Sequence, residues 1–175
     1  RGNKNAEGAG VHVLAYHRPA DPKQPWNTTM VHDSFHATHN LDIIPAPANE
    51  AESLLLCGKE GVVRLTSSDE GWKSQWISKH SGDLKGAGEV RWGAFGGGQP
   101  YVATIEPMHG NQLCLYTPPV GGPKDRDWVR TVLDETLVDG HALASHDLLG
   151  LGNRQIVVGW RSAQKIGPPV GVKLL

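Results

Sequence analysis

The chain has 175 residues, with 17 Lys and Arg against 18 Asp and Glu and a net charge of −1. That balance supplies no basic field for nucleic acid or an anionic membrane surface, and no apolar run nears the ~20 residues that a membrane-spanning helix needs. The length suffices for one domain with its own core, and because Arg1 opens it with neither an initiator Met nor a signal-peptide pattern, a processed or partial chain is expected.

From the N-terminus onward the apolar residues come in short runs, at 11–16, 41–44, 53–57, 61–65, 101–105, 113–116 and 155–159. Each is bounded by Gly, Pro, Asn or Asp, as strands are by turns. The 22 Gly and 12 Pro are spread along the chain rather than clustered. Cys57 and Cys114 lie inside apolar runs and are expected to be buried free thiols. Only one stretch has apolar residues at helical spacing, through Trp128, Val132, Leu133 and Leu137.

A repeat organises these runs. Three similar phrases open on tryptophan: WNTTMVH at Trp26, WKSQWIS at Trp72 and WVRTVLD at Trp128. After each comes a turn and then a strand headed by an ionisable residue: HNLDII at His39, EVRWGAF at Glu89 and HALASHD at His141. Trp and head lie 13 residues apart in the first and third units and 17 apart in the second, which implies a four-residue insertion in the region of His80. Second strands follow as SLLLCG, YVATIE and QIVVGW, and third strands as VVRLT and QLCLYT.

Four short strands in about 50 residues is the pattern of a propeller blade. Within that cycle WVRTVLD reads as a fourth strand rather than a helix. The expected fold is all-β, a partial β-propeller of four-stranded antiparallel blades. Residues 1–38 would supply outer strands of a preceding blade. Residues 39–88 form one blade, with its outer strand at 72–78, residues 89–140 a second, and residues 141–175 an incomplete third. A closed propeller takes four to eight blades, so missing blades of the same propeller are expected partners. A self-contained β-sandwich would leave the Trp repeat unexplained.

Strand direction places the chemistry. If each first strand descends from the top face near the axis, its leading residue lies on that face: His39, Glu89 and His141. The loops between second and third strands return to the same face, which brings residues 106–111 there with Glu106, His109 and Asn111. The loop before His39 adds His32 and His36. Two His and one carboxylate (His39, His141 and Glu89) suit zinc, magnesium or another divalent ion. The same groups also suit metal-free work, with His as base and Glu as acid, and the residues alone leave both open. Arg91 shares the side of its strand with Glu89.

The turn HDLLGLGNRQIVVG resembles the FG-GAP/VCBS type of propeller repeat, whose turn carries acidic calcium ligands. Here Asp147 fills the first ligand place while Leu149 and Leu151 fill the next two, so no calcium is expected at residues 147–155. The runs GEVRWGAFGGGQPYVATIEPMHGNQLCLYTPP and DGHALASHDLLGLGNRQIVVGWR resemble the propeller part of aldos-2-ulose dehydratase-type enzymes, over about residues 26–175. The resemblance implies a carbon–oxygen lyase that dehydrates a ketosugar, with help from a metal ion and with cupin domains beside the propeller. Nothing in this chain reads as a cupin. On that footing His141 and His109 are the expected catalytic bases, and His39, Glu89 and His141 the expected metal ligands. Arg91, Glu106, Asn111 and His36 are the expected contacts to a small carbohydrate. The competing class is a non-catalytic FG-GAP-type binding or scaffold propeller.

Overall fold

The structure is a computed structural model and describes residues 7–79, 86–121, 127–162 and 169–175. These residues form strands β1 (Val13–His17), β2 (Asn27–His32), β3 (Thr38–Ile44), β4 (Ser53–Gly58), β5 (Gly61–Ser68), β6 (Gly71–Lys79), β7 (Glu89–Ala94), β8 (Pro100–Glu106), β9 (Gln112–Thr117), β10 (Val129–Asp134), β11 (Gly140–His146), β12 (Gln155–Trp160) and β13 (Gly171–Leu174). Among them there is no helix. The stretch with helical spacing after Trp128 is strand β10, paired antiparallel with β9.

The strands form antiparallel sheets in chain order: β1-β2, β3-β4-β5-β6, β7-β8-β9-β10 and β11-β12-β13. Each of the repeated tryptophans sits at the head of an outermost strand. Trp26 and Trp128 immediately precede β2 and β10, and Trp72 is the second residue of β6. The insertion expected near His80 falls at residues 80–85, outside the described residues.

Burial follows strand position. The second strands β4 and β8 are buried along nearly their whole length, since each has a strand on both edges and packing on both faces. Strand β10, at a sheet edge, alternates between exposed and half-buried, the period-two pattern of a one-sided strand.

That alternation divides the core into layers. In β8, Tyr101, Ala103 and Ile105 face the sheet β11-β12-β13, where they meet Leu143, Ile156, Val158 and Trp160. Val102, on the opposite face, belongs with Leu55, Cys57, Val62, Ile77, Val90, Cys114 and Tyr116, between the two four-stranded sheets. A third layer joins Val31 and Phe35 to Leu56, Val63 and Leu65. Each fully buried aliphatic side chain contributes about 1.5–3 kcal/mol. Cys57 and Cys114 are free, buried thiols, and burial pushes both up to about 12.

The innermost strands lie side by side, with β7 between β3 and β11. This stacking of first strands sets their leading residues against one another. At the far end of β11, the Asp147 carboxylate accepts the backbone N–H groups of Leu151 and Gly152, each at 2.9 Å. Those two donors, Gly152 first, hold its pKa below the usual carboxylate value.

Candidate functional site

Three imidazoles meet at the heads of the inner strands. His39 is the second residue of β3, His141 the second of β11, and His109 lies in the turn between β8 and β9. Ring centroids are 4.6 Å apart for His39 and His109, 5.0 Å for His109 and His141, and 6.0 Å for His39 and His141. All three residues are solvent-exposed.

Backbone contacts set this geometry. The Gly88 N–H donates to Ile105 O at 3.0 Å, and its Cα lies so near the His109 turn that a Cβ there would sit 1.5 Å from Met108 O. The Gly88 carbonyl accepts from His39 Nδ1. On the other flank, the Gly140 N–H donates to Gly110 O at 3.1 Å. A Cβ on Gly140 would meet Ile105 Cγ2 at 2.8 Å. Glycine at these two places therefore lets the segments that carry the histidines close on one another.

The bonds also fix where the protons are. A carbonyl can only accept, so His39 carries its proton on Nδ1, and in a neutral ring Nε2 is then the acceptor. His39 Nε2 and His109 Nε2 are 2.8 Å apart, so His109 donates through Nε2. That leaves His109 Nδ1 as a basic lone pair. Partial burial, followed by the neighbouring His39 and His141 and then Arg161, lowers the His109 pKa, against an opposing pull from Asp139. His109 is therefore neutral near pH 7, as a base must be.

The other rim residues expected from sequence are distributed differently. Glu89 heads β7 and is 5% exposed. Its Oε2 accepts from Asn40 Nδ2 at 2.7 Å and lies 3.4 Å from Arg91 Nη2. Glu89 directly follows the Gly88 whose carbonyl orients His39, and Arg91 lies two residues further along β7. Glu106 is 2% exposed and accepts from Thr104 Oγ1 at 2.8 Å, Tyr116 OH at 2.7 Å and Arg130 Nε at 2.9 Å. It lies inside its sheet, with Arg130 reaching it from β10. Asn111 Nδ2 donates to Glu135 O at 3.3 Å. His36 pairs with Glu60, Nδ1 to Oε1 at 2.8 Å, and its Nε2 lies 3.1 Å from Gly8 O.

Among the described residues no group of three His, Cys, Asp or Glu is arranged to hold a metal ion. The reason is visible at the closest pair. Two nitrogens on one tetrahedral zinc stand about 3.3 Å apart, given bonds of 2.0–2.1 Å, whereas His39 and His109 are in hydrogen-bond contact. The donor chemistry nevertheless suits a cation. His39 is anchored through Nδ1 to a carbonyl, the outer-shell arrangement typical of a ligating histidine, with Nε2 turned to its neighbours. Opening the His39–His109 contact by about half an ångström would reach ligand spacing.

Sequence reasoning missed Gly88, Asn40, Asp139 and Arg161. Only Arg161 had a usable signal: it lies in the loop after the second strand of its sheet, as His109 does in the sheet before.

Residues 3–119 match the family described as "Aldos-2-ulose dehydratase, beta-propeller domain". The chain is 30% identical over 137 residues to aldos-2-ulose dehydratase of Phanerodontia chrysosporium, covering 70% of this chain and 15% of that protein. His39 and His109 lie within the family match, and His141 and Arg161 lie beyond it.

Proposed function

The chain belongs to the aldos-2-ulose dehydratase β-propeller domain family, and on that footing we propose that it is the propeller portion of a carbon–oxygen lyase that removes water from a small ketosugar. Because the chain spans about 15% of the relative's length, the activity is assigned to the whole polypeptide, of which further sheets of the same propeller are part. The observation that carries this reading is the His39–His109 hydrogen bond, which leaves a neutral imidazole with a free lone pair beside a third imidazole.

Dehydration next to a carbonyl needs a base for the C–H proton and an acid for the departing hydroxyl. His109 Nδ1 takes the proton, and His39 stabilises the resulting imidazolium through the relay to Gly88 O. His141 stands close enough to exchange a proton with the leaving hydroxyl. Arg91 and Glu89 form the polar floor beneath, tied to β3 through Asn40. A zinc or magnesium ion would be held by His39 and His141, with His109 or Glu89 as further donors. When bound, it supplies Lewis-acid polarisation of the sugar carbonyl.

The test is loss of ketosugar on the complete polypeptide, followed with and without chelator, for the wild type and for His109→Gln. Turnover that His109→Gln abolishes supports the reading. No turnover under either condition would return the site to a non-catalytic FG-GAP/VCBS-like binding module.

A further inference from the structure

We propose that Arg161 belongs to this same site, where its guanidinium takes the carbonyl oxygen of the ketosugar and the negative charge that develops on it. The inference rests on the dehydration reading above.

Position is the first argument. Arg161 directly follows β12 and so begins the loop between the second and third strands of its sheet, as the His109 turn does between β8 and β9. The second argument is the way this loop is fastened. Arg161 N donates to Asp139 O at 3.3 Å and Ser162 N to Val138 O at 3.2 Å. Ser162 Oγ also donates to Asp139 Oδ2 at 2.5 Å. The next residue, Gly140, bonds to Gly110 beside His109 and leads directly into His141. One short segment, Val138 to Gly140, therefore ties Arg161, His109 and His141 together. Asp139 adopts φ 53°, a left-handed conformation uncommon outside glycine and of the kind that concentrates at functional sites.

Charge is the third argument. Arg91 and Arg130 are each paired with a buried carboxylate, Glu89 and Glu106. Among the described residues Arg161 is in no such ion pair, and it is exposed. A cation on the loop tied to the His109 and His141 segments is complementary to an anion, and the reaction makes one. When His109 takes the proton from the carbon next to the carbonyl, the C–H pair becomes a C=C bond and the carbonyl π pair moves to oxygen. The enolate pair then re-forms the carbonyl, and the C=C pair shifts to expel the hydroxyl one carbon further on. That hydroxyl leaves as water with the proton returned by the His109 imidazolium, directly or relayed through the neighbouring His141. Only the enolate oxygen carries a full negative charge, so a guanidinium there lowers the barrier more than it tightens substrate binding.

The experiment compares wild type, Arg161→Gln and Arg161→Lys in the complete polypeptide. It measures kcat, KM and the exchange of the substrate α-proton with D2O by NMR. Arg161→Gln is expected to lower kcat about 100-fold with a smaller change in KM, and to slow α-proton exchange in parallel. Arg161→Lys should recover part of both. A wild type that turns over, with Arg161→Gln within twofold of it, would overturn this inference and leave the dehydration reading standing. An inert wild type would overturn both. Melting temperatures lowered by about 10 °C or more in both variants would assign Arg161 to the fold instead, and overturn the proposal.

Discussion

His39 Nε2 and His109 Nε2, 70 positions apart in the chain, stand 2.8 Å from each other and share one proton. Since the Gly88 carbonyl holds the other His39 proton, the pair works as a relay with its basic end on His109. Replacing each end should therefore have unequal effects. On the dehydration proposed above, His109→Gln removes the base and should lower kcat of the complete polypeptide by about 10²–10⁴. His39→Gln removes only the orienting partner and should cost about 10–100-fold. Steady-state kinetics of the two variants decides this, and equal losses would contradict the assigned direction of the relay.

The same contact bears on the metal binding proposed above. Zinc should bind at one site per chain only by breaking the His39–His109 hydrogen bond, with the His109 proton moving from Nε2 to Nδ1. Because a histidine ligates only when neutral, protons compete with the metal and affinity should fall in acid. Equilibrium dialysis at pH 5.5 and pH 7.5 measures this, and His39→Ala combined with His141→Ala should abolish binding.

A second histidine pair gives the opposite pH dependence of stability. The hydrogen bond to Glu60, then that to Gly8 O, raises the His36 pKa above its usual value. A histidine raised in the folded state stabilises fully below the unfolded value of 6.5 and loses that contribution as pH rises through the folded value. Wild type should therefore exceed His36→Gln in melting temperature at pH 5.5, and the gap should shrink by pH 8.5. Thermal melts at the two pH values test the sign.

Much of this arrangement was legible in the sequence, for physical reasons. The equal Trp-to-His spacing of the first and third units holds because Trp26 and Trp128 both stand at the start of an outer strand and His39 and His141 head the inner strand of the following sheet. Period-two alternation and turn residues then mark the strands between. The position of Glu106 was not legible. At the end of an apolar strand, a carboxylate reads as the first residue of a solvated loop. What buries it is Arg130, which comes 24 positions later on β10, together with the hydroxyl of Tyr116 on β9. Gly88 was hidden for a different reason, since its contribution is a carbonyl and the lack of a side chain.

The buried Glu106–Arg130 pair predicts a fold defect rather than a chemical one. Glu106 is 2% exposed, and Arg130 also donates to Gln112 Oε1 at 2.7 Å. Arg130→Met would remove the charged donor and leave the carboxylate buried beside Thr104 and Tyr116, and breaking such a pair costs about 3–5 kcal/mol. Replacing both partners, with Glu106→Gln and Arg130→Met, should recover much of that loss, because no uncompensated charge remains. Urea denaturation of the two variants measures the difference.

Gly88→Ala tests how tightly the site depends on backbone approach. The added Cβ would lie 1.5 Å from Met108 O, a separation that no side-chain rotation relieves, so the turn carrying His109 must move. Movement of even 1 Å carries Nε2 of His109 out of hydrogen-bond reach of His39. That breaks the relay, and kcat of the complete polypeptide should fall by at least tenfold. The core layer of Tyr101, Leu113, Ile156 and Val158 draws its apolar contacts from side chains away from this turn and should keep the chain folded. Near-ultraviolet circular dichroism retained alongside the lowered kcat is the expected result. Unchanged kcat would mean that the His39–His109 contact is held by something other than the Gly88 approach.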